Sequence, residues 1–310
     1  MTAFVPLVLA TTVLCSIIQS NDLAYAQASD LPFFFGDSVG DFRTVNNDDL
    51  SSIRYDLSTP VLFLGEEYDH FYQNTNGVIT FTQPFDKYKA LDSFPNSIVP
   101  PMVAVYWTDI DTRMGGVAKN QLWARNTTLR IGVDDVAEAA QLVEKSGFDF
   151  QPQEVVVMTY NRVNRWDRDE SVENTFQMAL AYNSDETWII LAYSKLEFYD
   201  ASSAANMTLV GYNGQQNLTG ALIRYLKTED DMTNLVESSN CGTPGVYVYQ
   251  VNGVRRGPPI TPDEGQSVLE IIVEFITSSD FEENVNTILR FFNDIWGILT
   301  EIFSLIFSSR

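Results

Sequence analysis

Residues 71–81 read FYQNTNGVITF, and this stretch decides the fold class of the chain. Asn76-Gly77 separates two runs of β-forming residues, and Asn-Gly in that setting is the strongest short-range signal for a β-hairpin. The spacing predicts a two-residue turn in which Gly77 supplies the positive φ. The stretch therefore indicates an antiparallel β-protein.

Segments on both sides of this hairpin extend the β-pattern. Phe176, Met178 and Leu180 alternate with other residues, as is typical of an antiparallel strand with one face on a core. Residues 133–145 (VDDVAEAAQLVEK) instead carry apolar residues at helical spacing, with Gly147 just beyond. We predict an α+β fold, predominantly β, with antiparallel sheets in a sandwich-like body, one inserted helix, and apolar amphipathic helices at the C-terminal end. The candidate strands are residues 61–64, 71–75, 78–82, 102–107, 121–125, 128–132, 154–162, 175–182, 188–193, 221–226 and 245–250.

Composition limits the classes of function. The chain has 310 residues, 45% of them hydrophobic, which is enough for one large domain with an appendage. Asp and Glu number 41 against 19 Lys and Arg, giving a formal net charge of −22. So negative a surface repels phosphate backbones, and we expect no nucleic-acid partner.

Both ends of the chain differ from the middle. Residues 1–26 resemble a secretory signal peptide, with an apolar core at residues 5–18 and a small-x-small site at residues 24–26. No Lys or Arg precedes that core, and a membrane anchor or a buried helix are the alternatives. We predict a signal peptide at 1–26, a β-rich domain at 27–253, a Pro/Gly linker at 254–265 and a helical assembly or attachment segment at 266–310.

The last segment contains a nearly all-apolar helical pattern in residues 283–307. Such a helix must be covered, by another copy or partner, by a membrane, or by the β-body. Spanning a bilayer would bury Arg290, Asp294 and Glu301, at roughly 2.5–3.5 kcal/mol each at mid-bilayer, so we place self-association or partner docking first. The residues predicted to form the contact are Phe292, Ile295, Trp296, Leu299, Ile302, Phe303 and Ile306.

The sequence also marks candidate modification sites. Cys15 leaves with the predicted signal, so Cys241 would be a lone cysteine, either a buried thiol or a link to another chain. Asn126, Asn206 and Asn217 begin N-glycosylation sequons, which suit an extracellular glycoprotein.

Residues able to carry chemistry are few, and we predict no catalytic site. The one histidine, His70, has no second histidine for a metal cluster or triad. Asp109 and Asp111 lie on one side of an extended segment and are candidate calcium ligands, with residues 46–49 (NNDD) as a second oxygen-rich loop. The simpler interpretation is that these carboxylates cap loops and pair with Arg113 or Arg43. No other cofactor is expected.

Seven pieces of the chain, taken in order from residue 35 to residue 251, together resemble the nidogen-like extracellular (NIDO) domain. That module occurs in nidogen, alpha-tectorin and certain membrane mucins. Asn76, Gly77, Trp107, Asp109 and Asp111 fall in its motifs and have structural roles there. The pieces are FGD at 35–37 with GD at 40–41 and NDD at 47–49, FLG at 63–65 leading to Tyr68, NTNGVITF at 74–81, YWTDIDT at 106–112, TFQMAL at 175–180, VGYN at 210–213, and residues 240–251.

The resemblance implies a secreted, non-enzymatic protein whose partners are extracellular matrix or cell-surface proteins, and a role in cell–matrix adhesion. A single module gains avidity only by oligomerising, which the C-terminal helix would provide. Two alternatives stay open: a self-assembling component of an acellular matrix or coat, and an acidic secreted hydrolase using Asp109 and Asp111.

Overall fold

The computed structural model describes residues 31–253, apart from residues 45, 92, 114–118, 127–133, 201–206 and 215–218. A short 3₁₀ turn, Asp37–Val39, precedes the strands. The helices are α1 (Asp135–Lys145) and α2 (Glu229–Glu237). The strands are β1 (Phe42–Arg43), β2 (Tyr55–Phe63), β3 (Glu66–Asn74), β4 (Val78–Thr80), β5 (Met102–Trp107), β6 (Ile110–Asp111), β7 (Gln121–Asn126), β8 (Glu154–Arg165), β9 (Glu173–Tyr182), β10 (Thr187–Lys195), β11 (Thr208–Asn213), β12 (Gly220–Leu226) and β13 (Val246–Asn252).

Two antiparallel sheets form the body. The first is seven-stranded, with the order β1-β7-β8-β9-β10-β13 and β6 added beside β8. The second is six-stranded, with the order β12-β11-β5-β4-β3-β2. The predicted β-rich sandwich is confirmed.

The hydrophobic core has three parts. The main part joins both sheets, for example Ile79 and Val105 of the second with Met158 and Leu191 of the first. Helix α1 covers the outer face of the first sheet, and Phe85, Ala90, Phe94 and Val99 cover the outer face of the second. The strands in the middle of both sheets are therefore covered on both faces.

This layering corrects one expectation from the alternation pattern. Phe176, Met178 and Leu180 do face the main core, but every residue of β9 is buried. Ala179 and Ala181 point to the other face, where they pack under α1. Alanine is compatible with either environment, so its position in the pattern did not reveal the covering helix.

The hairpin at residues 71–81 has a three-residue loop, whereas Asn76-Gly77 predicted a two-residue turn. Asn74 pairs with Val78 across the hairpin, which leaves residues 75–77 as the loop. Gly77 has a φ of 77° at its last position. The loop closes one residue earlier than predicted because the Asn74 Oδ1 accepts a hydrogen bond from the Asn76 backbone N–H at 2.7 Å.

The expectation of a single inserted helix was also wrong. Helix α1 begins near the predicted position, where the Asp134 side chain accepts a hydrogen bond from the Ala137 N–H. The second helix, α2, begins with a capping box formed by Thr228 and Asp231. Its nine residues bury only Met232 and Leu235, too few apolar positions to define a helical period.

Three strands escaped the β-pattern. Strands β1 and β6 have two residues each, and β11 contains Gly211, which has no β-preference. A Cβ on Gly211 would lie 2.6 Å from the Ala221 carbonyl oxygen. This glycine lets β12 approach closely.

A buried ionic triad ties the N-terminal segment to the first sheet and α1. The fully buried Arg125 side chain bonds Asp41 at 2.7 Å and Asp135 with two bonds of 2.7 and 2.8 Å. Burial raises the pKa of Asp41 and outweighs the opposing effect of the Arg125 charge. The triad holds residues 36–41 against the start of α1.

Several predicted features lie outside the described residues. They are the signal peptide at 1–26, the strand at 128–132, the sequons at Asn206 and Asn217, the linker at 254–265 and the helical segment at 266–310. Among the residues described, neither helix has the length and apolar character that a membrane crossing requires.

Candidate functional site

The hairpin loop of residues 75–77 holds two acidic loops together at one end of the sandwich. The Asn76 Nδ2 donates a hydrogen bond to the Asp49 carboxylate at 2.7 Å, and its Oδ1 accepts one from the Ile110 N–H at 2.8 Å. The Thr108 N–H donates to the Asn76 carbonyl at 3.2 Å. Asn76 is fully buried, so one amide fixes the distance between residues 48–49 and residues 108–111.

Gly77 allows this arrangement because the backbone of β5 lies directly against it. The N–H groups of Val105 and Tyr106 both donate to the Gly77 carbonyl, at 3.0 and 3.1 Å. A Cβ at Gly77 would lie 2.1 Å from the Tyr106 carbonyl oxygen. Only glycine fits here, both for its φ and for this contact.

Asp111 is the ion-paired member of the acidic site. Its side chain is fully buried, and its oxygens accept hydrogen bonds from Arg113 (2.6–3.2 Å) and from the Arg168 Nε (2.7 Å). Burial alone would raise its pKa, but the hydrogen bonds and charges of both arginines outweigh burial and lower the pKa to about 2. Arg113 also contacts Asp48 at 2.6 Å, so it bridges the two loops.

Asp109 lies in the opposite electrostatic environment. Its carboxylate is partly exposed, and among the described residues no group donates a hydrogen bond to it. Burial and the neighbouring charges of Asp49, Asp48, Asp200 and Asp111 raise its pKa to about 7. One oxygen each from Asp48, Asp49 and Asp109 falls within 4.8 Å of the others.

The structure thus separates the two residues that the sequence had paired. Asp109 lies with Asp48 and Asp49, from the second predicted oxygen-rich loop, whereas Asp111 turns to Arg113 and Arg168. Calcium, which takes six to eight oxygens, stays a prediction here, with three carboxylates as its candidate ligands. A hydrolase needs both carboxylates free to reach a substrate, and Asp111 has neither the exposure nor the free oxygens for that role.

A cleft opens beside Asp109 at this end of the sandwich. Its volume is about 260 Å³, smaller than the ~300–1,000 Å³ of typical small-molecule sites. Two of its walls come from the loop after β8 and from residues 198–200, which follow β10. The lining residues are Thr108, Asp109, Arg165, Trp166, Asp167, Phe198, Tyr199 and Asp200.

Sequence reasoning missed the residues that complete this cleft. Trp166 is 57% exposed, although it stands in a run of charged residues, NRWDRDE, at 164–170. An exposed tryptophan among charges was the available signal, since large aromatic residues are enriched at binding sites. No local pattern linked it to Asp200, which a long-range fold contact brings to the same place.

The other predicted site residues lie away from the cleft. Cys241 is buried, with its thiol 3.6 Å from the Val246 carbonyl oxygen. Asn126 is the last residue of β7 and is partly exposed. The Nδ1 atom of His70 lies 2.5 Å from the carboxylate of the neighbouring Asp69. Trp107 is fully buried and donates to the Lys87 carbonyl at 2.9 Å. Arg43, the alternative carboxylate partner, instead lies 5.9 Å from the Trp123 ring centre.

Known proteins show similarity across most of this body. Nidogen of Drosophila melanogaster is 25% identical over 273 residues, covering 85% of this chain and 20% of that protein. Nidogen-1 of Homo sapiens is 28% identical over 257 residues, covering 74% and 19%. Alpha-tectorin of Mus musculus is 25% identical over 247 residues, covering 75% and 11%. The chain spans a fifth or less of the length of these relatives.

No solved structure shows a significant match to the chain. The Nidogen-like domain family matches residues 69–253, which is more than half of the chain. That range takes in the hairpin loop, both members of the Asp109–Asp111 pair and the whole lining of the cleft. The chain therefore belongs to the nidogen-like domain family.

Proposed function

We propose that the chain is a secreted or surface-held glycoprotein whose nidogen-like domain binds a protein of the extracellular matrix or cell surface. The observation that carries this proposal is the family match over the body that bears the cleft. Recognition suits the chemistry at this end of the sandwich better than catalysis does, because one carboxylate of the Asp109–Asp111 pair, Asp111, is buried and bonded to two arginines.

The direct test is binding to native matrix. The full chain would be produced in a eukaryotic secretory host, recovered from the medium, and applied to decellularised matrix and to intact cells. We expect saturable binding to at least one of them, competed by excess unlabelled protein. Absence of saturable binding to both would refute the proposal, and retention inside the host cells would refute the secretion on which it depends.

The C-terminal segment at 266–310 is proposed to provide assembly. Sizing with light scattering would compare the mature full chain with a version that ends at Gly257. We expect an oligomer for the full chain and a monomer for the shorter one. A monomer in both cases would refute assembly, and recovery of the full chain only with membranes would assign the segment to attachment.

A further inference from the structure

The cleft beside Asp109 combines negative charge with exposed aromatic surface. Arg165 is the positive group in its lining, and Asp167 already pairs with it through bonds of 2.9 and 2.6 Å. A second carboxylate, that of Asp169, lies 3.7 Å from the same guanidinium. Asp109 then leaves the cleft negative.

The nearby arginines do not neutralise Asp109. Arg113 and Arg168 both bond Asp111, and the charges that act on Asp109 most strongly are all acidic. A half-buried carboxylate without a donor is unfavourable, and an incoming cation would remove that cost.

The aromatic side of the cleft indicates which cation fits. Trp166 is 57% exposed, and no other described aromatic ring stacks on it. Tyr199 lines the same space. A flat guanidinium can stack on an indole face while its N–H groups bond a carboxylate, whereas a metal ion gains nothing from the rings. The volume of about 260 Å³ is suited to one side chain.

The walls of the cleft are held before any ligand arrives. The Trp166 loop is fixed by Arg168 on Asp111 and by the Asn164 side chain, which donates to the Val172 carbonyl at 2.9 Å. Across the cleft, the Asp200 N–H donates to the Thr208 hydroxyl at 2.8 Å. A preformed site avoids the entropy cost of ordering loops on binding.

We propose that this cleft binds an arginine side chain presented by a partner protein, with Trp166 stacking on the guanidinium and Asp109 accepting its hydrogen bonds. The inference rests on the proposed function, since it names the feature of the matrix or cell-surface partner that the domain recognises. Asp200 adds negative charge at the opposite wall.

The test uses the full chain and a defined probe, the peptide acetyl-Gly-Gly-Arg-Gly-Gly-amide, titrated by NMR. The same peptide with citrulline in place of arginine has nearly the same shape and no charge. We expect selective binding of the arginine peptide. Trp166→Ala should weaken it by about 2- to 30-fold, the range of a cation–π contact. Asp109→Asn should weaken it by roughly 10- to 100-fold, the range of a hydrogen bond between charged groups.

Two controls separate the cleft from the general charge of the protein. Trp166→Ala leaves the net charge unchanged, so a loss of affinity cannot come from weaker long-range attraction. Asp185→Asn removes one exposed charge in the β9–β10 turn and should leave affinity unchanged. Thermal melting would confirm that each variant is folded.

Two outcomes would overturn the inference. They are equal binding of the arginine and citrulline peptides, and equal losses of affinity for Asp109→Asn and Asp185→Asn. If Trp166→Ala keeps full matrix binding, the cleft inference fails while the proposed function stands. If the wild type binds the peptide selectively but no matrix, the proposed function fails instead.

Discussion

Replacing Asp109 by asparagine should stabilise the protein at neutral pH, whereas the same replacement at Asp111, two residues away, should destabilise it. Both variants remove one negative charge from the same segment. General charge repulsion therefore changes equally in both, and the difference between them reports the local environment.

The magnitude for Asp109 follows from its pKa of about 7, raised by burial and by four acidic neighbours from an ordinary value of 3.8. The folded chain holds this proton more tightly than the unfolded chain, so the free energy of unfolding falls as the pH rises from about 4 to about 7. The difference between the pKa values of the folded and unfolded chains sets an upper limit of roughly 4 kcal/mol on the stability that is lost when Asp109 ionises. Because the carboxylate is partly exposed and screened, we expect about 1–2 kcal/mol from Asp109→Asn at pH 8.

The sign is reversed at Asp111, whose pKa is about 2. The two arginines outweigh burial there, so its contribution is fully present above about pH 4 and is lost as the pH falls towards 2. Asp111→Asn should cost about 2 kcal/mol at pH 7. It should also loosen the loop that Arg168 holds.

Urea denaturation followed by tryptophan fluorescence, at pH 4.5, 6, 7 and 8 and low salt, would measure both effects. Urea is preferable to guanidinium because it leaves the charges unscreened. The gain from Asp109→Asn should shrink to near zero at pH 4.5, where the wild-type carboxyl is already protonated. A gain independent of pH, or a loss at pH 8, would refute the electrostatic account of this site.

Two further substitutions test the scaffold by the same denaturation assay. Gly77→Ala should lower the free energy of unfolding by more than about 3 kcal/mol, because a clash with the Tyr106 carbonyl adds to the about 1–2 kcal/mol that a left-handed alanine costs. Gly65 is the control, because it has a φ of 90° and open space around it. Gly65→Ala should therefore cost only the about 1–2 kcal/mol of the left-handed conformation. Arg125→Met should cost about 3–5 kcal/mol by leaving two buried carboxylates unpaired, whereas the exposed Arg43→Met should change stability by less than about 1 kcal/mol.

The β-sandwich was predictable because its signals are local. Alternation, β-branched runs and the Asn-Gly hairpin each act over a few residues, and β5 was predicted to the residue at 102–107. The layers outside the sheets were not predictable. Whether Ala179 faces water or a helix depends on where residues 135–145 pack, and no pattern within β9 contains that information.

The site shows the same division. The sequence identified Asp109, Asp111 and residues 46–49 as acidic, because composition and spacing show that directly. It did not show that Arg168 would arrive from another hairpin to neutralise Asp111 and leave Asp109 unpaired. Which of two similar carboxylates is available to a ligand was decided by long-range contacts.

Asn76 shows how a residue that marks a turn also acts on the site. Its side chain holds Asp49 and the backbone of Ile110 in fixed positions, so the hairpin loop forces acidic groups together that would otherwise separate. Burial, together with that proximity, raises the pKa of Asp109. Linkage makes the effect reciprocal, because a cation that lowers this pKa must bind more tightly when the proton is absent. The affinity of the cleft for an arginine side chain should therefore rise between pH 6 and 8, because Asp109 loses its proton in this range. The ionised carboxylate destabilises the folded chain but strengthens the binding of a cation.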